Sequence, residues 1–195
     1  MRLFVGIDIE ERIRHEIWEF VEKVREFAPD ARWVKPETFH VTLKFLGETS
    51  PEVAEQIKKA LAGIKHPAFA IAFRDSGFFP NARNARVFWV GVHADERLPA
   101  LAAKVDEAVS ALGFEREKQG YRPHLTLARA GSRASGNPHQ QAHGAAPQMR
   151  RLQQRLEPGP QPDFGTMTAR EFFLYESKLL RGGAQYTKIA RFALE

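Results

Sequence analysis

The chain has 195 residues, 43% of them hydrophobic and 27% charged, a globular composition that excludes a disordered chain and suits one generous domain or two small packed lobes. With no cysteine, disulfides, thiolate catalysis and sulfur-ligated zinc are excluded. No apolar run approaches the roughly 20 residues that a bilayer crossing needs, and acids follow directly on the short apolar start "MRLFVGIDIEERI", so a cytoplasmic protein without a membrane partner is expected.

In chain order, "RLFVGIDI" (2–9) reads as a strand. Ile13, Ile17, Val21, Val24 and Phe27 then recur at spacings of three and four, as on one face of a helix. "RWVKPETFHVTLKFLG" reads as extended, because Pro36 excludes a helix at its centre. Ser50 and Pro51 form a helix start, with serine as N-cap and proline in the first turn, and Val53, Ile57, Ala60 and Leu61 mark its inner face. "FAIAF" and "RVFWVGVHA" read as strands. Leu98, Leu101, Val105, Val109 and Leu112 predict a third helix, which Gly113 terminates. "PHLTLARA", "REFFLYESKL" and "YTKIARFAL" complete the strands.

Mixed elements without regular βαβ alternation predict an α+β fold, with antiparallel sheets covered by helices and two related lobes. Residues 131–165 differ in kind. "GSRASGNPHQQAHGAAPQM" lacks a sustained apolar period and is too long for an ordinary connection, so a flexible, lid-like insertion is expected over 131–165. The net charge of +5 is concentrated there: 129–156 holds Arg129, Arg133, Arg150, Arg151 and Arg155 and no acid. Such a segment reads either as a solvated basic loop or as a contact for a polyanion, nucleic acid first.

Two strands carry the chemistry. "TFHVTLKFLG" holds His40 and Thr42, and "YRPHLTLARA" holds His124 and Thr126 in the same relation. Side chains two apart on a strand share a face, so each strand presents an imidazole beside a hydroxyl while Val41, Leu43, Leu125 and Leu127 point inward. If the strands meet across a cleft, the set suits a phosphodiester. One neutral histidine takes a proton from water, and the other, protonated, gives one to the leaving oxygen. The threonine hydroxyls donate to the non-bridging oxygens, and Arg129 adds a two-pronged contact. Neither a metal nor a covalent nucleophile is called for. A single His-x-Thr is common in alternating strands; the repeated frame is what gives it weight.

The other histidines are read more plainly. His15, His66 and His93 lack the frame and are expected to be surface or packing residues. His139 and His143 stand four apart, as zinc ligands on a helix do, but in a glycine- and proline-bearing loop with no nearby carboxylate, so no metal is expected. Phe45 and Tyr121 are candidates for stacking on a base, and Phe45 can equally be core.

The paired "HVTL" and "HLTL" resemble the hallmark of the two-histidine (2H) phosphoesterases, and more narrowly of the RNA 2′,3′-cyclic phosphodiesterases historically called 2′-5′ RNA ligases. The resemblance runs almost end to end, through "RLFVGIDI", "RWVKPETFHVTLKFLGE", "GFFPNARNARVFWVGV", "YRPHLTLAR" and "LYESKLLRGGAQYTKIARFAL". It implies a single bilobal domain over 1–195, with two antiparallel sheets related by a pseudo-two-fold axis, helices on their outer faces and the motifs lining the cleft. It implies hydrolysis of an RNA or nucleoside 2′,3′-cyclic phosphate to the 2′-phosphomonoester, without cofactor or metal, by a protein expected to act as a monomer. His40 would be the proton donor and His124 the proton acceptor, a division that rests on the resemblance because the motif is nearly symmetric. Thr42, Thr126 and Arg129 would hold the phosphate, while Phe45, Tyr121, Arg133, Arg150, Arg151 and Arg155 are candidate RNA contacts. The departure is the longer, more basic 131–165 segment. Two alternatives stand beside hydrolysis: the reverse chemistry joining RNA ends through 2′-5′ linkages, which water disfavours unless a second end is held at high effective concentration, and an RNA-binding module with incidental catalysis.

Overall fold

The structure is a computed structural model that describes residues 1–131, 145–181 and 183–195. Its strands are β1 (Arg2–Asp8), β2 (Arg32–Trp33), β3 (His40–Glu48), β4 (Phe69–Phe79), β5 (Val87–His93), β6 (His124–Arg129), β7 (Asp163–Ala169), β8 (Glu171–Leu180) and β9 (Gly183–Ala193). Its α-helices are α1 (Glu11–Val24), α2 (Pro51–Ala62), α3 (Arg97–Ser110) and α4 (Pro147–Leu156). The strands form a four-stranded sheet, β3-β1-β8-β9, and a five-stranded sheet, β2-β6-β5-β4-β7. The strand pairs in both are antiparallel. No described helix is long and apolar enough to cross a membrane.

Local chemistry accounts for most of these elements. Leu3 to Ile7 are buried without a break, as a strand flanked on both sides requires, and β1 lies between β3 and β8. Ile13, Ile17, Val21 and Val24 form the buried stripe of α1, which packs on β7. The Ser50 side chain accepts a hydrogen bond from the Val53 N–H, capping α2. α3 packs against β3 and against α2, so the helix formed late in the chain supports the first His-x-Thr strand. One continuous apolar core joins residues of both sheets and all four helices.

Three readings need correction. The stretch 32–47 is not one extended run: β2 joins the five-stranded sheet, a 3-10 turn spans Pro36–Thr38, and β3 begins in the other sheet at His40. β4 continues past Phe73 to Phe79. The expectation of an irregular insertion over 131–165 fails for 147–156, which is α4, and for 163–165, where β7 begins. Met149, Leu152 and Leu156 do recur at three and four, but their stripe is thin among arginines and glutamines, and Gln148 and Gln153 help fill the buried face. In β7, Asp163 and Gly165 read as loop residues. Gly165 takes a positive φ where the pairing with β4 slips by one residue, a bulge that tolerates glycine. Arg133, His139 and His143 lie outside the described residues.

Candidate active site

Each motif strand begins at its histidine, and each is built the same way. Along β3, Val41, Leu43 and Lys44 are buried while His40 and Thr42 are half-buried and Phe45 is 66% exposed. Along β6, Leu125, Leu127 and Ala128 are buried while His124 and Thr126 are half-buried and Arg129 is exposed. Two consecutive buried residues break strict alternation. The cause is a register slip in each strand, against β1 between Val5 and Gly6 and against β5 between Phe88 and Trp89. Beyond the slip the parity reverses, so Phe45 returns to the face of His40 and Thr42, and Arg129 to the face of His124 and Thr126. The three equivalent pairs stand 84 positions apart in sequence.

Both imidazoles are held by the same device. His40 Nδ1 lies 2.7 Å from the carbonyl of Thr38, and His124 Nδ1 lies 2.8 Å from that of Arg122. A carbonyl only accepts, so each Nδ1 carries the hydrogen and each Nε2 is left as the reactive nitrogen. Thr42 Oγ1 is 3.0 Å from His40 Nε2. The Thr38 carbonyl is itself steadied, because the Arg14 guanidinium bonds the carbonyls of Pro36 and Phe39 on either side of it and the Asp8 carboxylate at 2.7 Å.

Aromatic rings pack both histidines. Phe4 lies 4.7 Å from His40 between ring centres, and Tyr186 meets it edge-on at 5.2 Å. Phe79 meets His124 edge-on at 4.9 Å. Burial pushes the pKa of each histidine below its ordinary value. At His40 the Thr38 carbonyl and the Asp8 carboxylate oppose that shift, while the His124 and Arg14 charges add to it. At His124 the Arg122 carbonyl opposes it and Arg129 adds to it. The packing of β3 against β6 brings the two motif strands together.

The segment leading into β6 is fastened to β3. Lys44 Nζ bonds the Asp106 carboxylate at 2.6 Å and the Glu115 carbonyl at 2.7 Å, and Asp106 also accepts the Glu117 N–H at 3.1 Å. Tyr121 donates its hydroxyl to the Thr42 carbonyl at 2.9 Å. Its phenol therefore ties the segment leading into β6 to β3, and its partly buried ring packs against the core. Burial alone pushes that hydroxyl far above the usual phenol range, so it stays a donor.

The arginines of α4 are differently placed from the expected loop. Arg151 bonds the Asp30 carboxylate and the Phe27 carbonyl, and Arg155 lies over the Phe27 ring at 5.1 Å. Both are thus engaged with the 25–30 segment, and only Arg150 of the three is left exposed without a partner there. Among the described residues no group of three or more histidine, aspartate or glutamate side chains could hold a metal ion. Sequence reasoning missed Phe4, Asp8, Arg14, Phe79, Tyr175, Tyr186 and Lys188 around the histidines. They come from five separate elements, and no local pattern links them to the motif.

Two antiparallel sheets that each offer a tautomer-locked histidine and a threonine define a two-histidine phosphoesterase architecture. A profile described as LigT-like phosphoesterase matches the chain twice, at residues 7–89 and 90–186, and the chain belongs to that family. A protein of Methanocaldococcus jannaschii named RNA 2′,3′-cyclic phosphodiesterase is 33% identical over 189 residues, covering 97% of this chain and 98% of its own. One of the same name from Escherichia coli is 30% identical over 196 residues, covering 99% and 96%. The crystal structure of E. coli LigT complexed with 3′-AMP superposes with a TM-score of 0.76 at 29% identity, covering 99% of this chain and 97% of that one.

Proposed function

We propose that the protein hydrolyses RNA ends bearing a 2′,3′-cyclic phosphate to the 2′-phosphomonoester, by metal-independent acid–base catalysis between His40 and His124. The observation that carries this reading is the matched pair of Nε2 atoms, each kept as the reactive nitrogen by a carbonyl two residues upstream. Relatives named RNA 2′,3′-cyclic phosphodiesterase support the substrate class.

Water attacks phosphorus as His124 Nε2 takes its proton. The bond from phosphorus to the 3′ oxygen breaks, and protonated His40 gives the Nε2 proton to that oxygen, leaving the phosphate on the 2′ oxygen. The assignment of roles has support in the surroundings. A carboxylate, Asp8, favours the imidazolium at His40, whereas a guanidinium, Arg129, favours the neutral ring at His124. Thr42 and Thr126 donate to the non-bridging oxygens, Arg129 supplies a planar fork to the phosphate, and Phe45 offers its exposed ring to the terminal base.

The test is product analysis. A 2′,3′-cyclic nucleotide incubated with the protein in EDTA should yield the 2′-phosphate and no 3′-phosphate, resolved by chromatography or ³¹P NMR. Formation of the 3′-phosphate, or loss of turnover to the chelator with recovery on adding zinc, would overturn the scheme.

A further inference from the structure

The two halves hold their histidines through the same bond and secure that bond by different means. In the second half the carbonyl that accepts the His124 Nδ1 hydrogen belongs to Arg122, and Pro123 follows it. A residue before proline is confined to extended backbone, so the chain itself sets the direction of the Arg122 carbonyl. Tyr121, one residue earlier, adds its bond to the Thr42 carbonyl. In the first half Phe39 stands where Pro123 stands in the second. Phenylalanine imposes no such limit on the residue before it. Thr38 bonds the Lys35 carbonyl through its own N–H and hydroxyl, at 2.9 Å and 2.8 Å, which fixes the entry to the residue and leaves the peptide on its far side unsecured.

Arg14 supplies the missing constraint from α1. Its side chain is 13% exposed, and one guanidinium nitrogen bonds the Pro36 carbonyl and reaches the Phe39 carbonyl at 3.5 Å, one on each side of Thr38. The remaining N–H groups go to the Asp8 carboxylate at 2.7 Å, the Ile9 carbonyl at 3.2 Å and the Glu11 carboxylate at 3.3 Å. Asp8 lies opposite His40 in the register of β1 and β3, and its second oxygen takes Lys188. The fork is thus fixed on one side by the end of β1 and the start of α1, and on the other it grips the turn. A planar group with donors on three nitrogens can span these partners. A lysine ammonium, with its donors on one atom, cannot.

We propose that Arg14 is a positioning residue for the proton transfer at His40: by clamping the peptide groups on either side of Thr38, it aims the Thr38 carbonyl at Nδ1 and so keeps Nε2 turned to the phosphate. The inference rests on the acid–base reading given above. Arg14 touches no reacting atom. The second half needs no counterpart, because Pro123 performs the same task there.

The experiment compares the native protein with Arg14→Ala, Arg14→Lys and Arg12→Ala. Arg12 also lies on α1 but bonds the Thr166 carbonyl of β7, so its removal loosens the helix without touching the turn. One readout is kcat and KM for a 2′,3′-cyclic mononucleotide. The other is the ¹⁵N spectrum of the His40 and His124 rings in the free protein above about pH 8, where both imidazoles are neutral. Arg14→Ala should lower kcat about tenfold to a hundredfold, the cost of a small misplacement, with KM changed less than about twofold. The Nδ1-protonated form of His40 should give way to a mixture of the two tautomers, while His124 keeps its own. Arg14→Lys should follow Arg14→Ala, and Arg12→Ala should match the native protein in both readouts. A single Nδ1-protonated His40 in both Arg14 variants, a loss carried by KM alone, or an equal fall in kcat for Arg12→Ala would overturn the proposal. Where the alanine variant shows no thermal transition, the lysine variant decides. If the native protein leaves the cyclic substrate intact, the acid–base reading fails, and the spectra still decide Arg14: mixed tautomers at His40 alone uphold the clamp, and an unchanged ring rejects it.

Discussion

Lys44→Met tests whether the fastening between the two motif strands is what holds them in place. The Lys44 side chain is 8% exposed and that of Asp106 is 18% exposed, with 2.6 Å between the charged atoms. Methionine fills similar space, so the change removes the ammonium and its bonds to Asp106 and the Glu115 carbonyl without opening a large cavity. Breaking a fully buried pair costs about 3–5 kcal/mol. Asp106 keeps the Glu117 N–H and some water, which places the expected loss nearer about 2–4 kcal/mol. For a chain of this size that corresponds to a fall in Tm of about 5–12 °C, read by calorimetry. The loss should depend on pH. Burial tends to raise the Asp106 pKa, but the Lys44 hydrogen bond, the Glu117 N–H and nearby charges outweigh it and hold it below the ordinary value. A depressed folded-state pKa stabilises above the unfolded value of about 4 and loses that contribution as pH falls through the folded one. The gap between native and variant should therefore be full at pH 7 and narrow in acid. A loss under about 1 kcal/mol at pH 7, or a gap that widens in acid, would refute the reasoning.

His40→Ala and His124→Ala should each lower kcat by about 10²–10⁴-fold with the thermal transition retained, and the double variant should be little worse than either single. The kcat/KM profile should be bell-shaped with its maximum below pH 6.5, because burial lowers both free-enzyme histidine pKa values and the active form holds one proton between them. The kcat profile should lie at higher pH, since a bound anion opposes proton loss; a kcat/KM maximum above pH 7 would contradict the geometry. Arg129→Lys should reduce kcat/KM by about tenfold or more on mononucleotide and dinucleotide alike, because a point charge cannot reproduce a planar fork; full activity would remove Arg129 from the phosphate seat.

Much of the frame was legible because it is local. The Ser50 cap, the buried stripes of α1 and α3 and the repeated His-x-Thr all reside in spacings of two, three and four. What stayed hidden depends on partners distant in the chain. Strict alternation places Phe45 with Val41 and Leu43, and Arg129 with Leu125 and Leu127, on the inner face. Only the register slips against β1 and β5 return them to the histidine face, and a slip is a property of two strands together. Strand β2, two residues long, carries no pattern of its own and exists because β6 offers an edge to Arg32 and Trp33. Helix α4 announces itself by only three apolar residues, and its buried glutamines are informative only once Gln153 is seen donating to the Ala82 carbonyl.

The proposed mechanism asks a nearly symmetric frame to serve two different proton transfers. Repetition supplies what both histidines share: a strand start, an upstream carbonyl on Nδ1, a threonine two residues on and a reversed parity three residues beyond that. Direction has to come from where the halves differ. Opposite His40 the register places Asp8 of β1, whereas opposite His124 it places Gly91 of β5. A Cβ at Gly91 would stand 2.5 Å from the Arg74 carbonyl, so no carboxylate can replace it there without moving β4. The equivalent positions Phe45 and Arg129 differ in the complementary sense, an apolar ring in one half and a fixed cation in the other. His40 therefore has near it a carboxylate, Asp8, that is itself paired with Arg14 and Lys188, whereas His124 has Arg129. In the proposed mechanism that difference, on an otherwise duplicated site, biases one ring toward giving a proton and the other toward taking it.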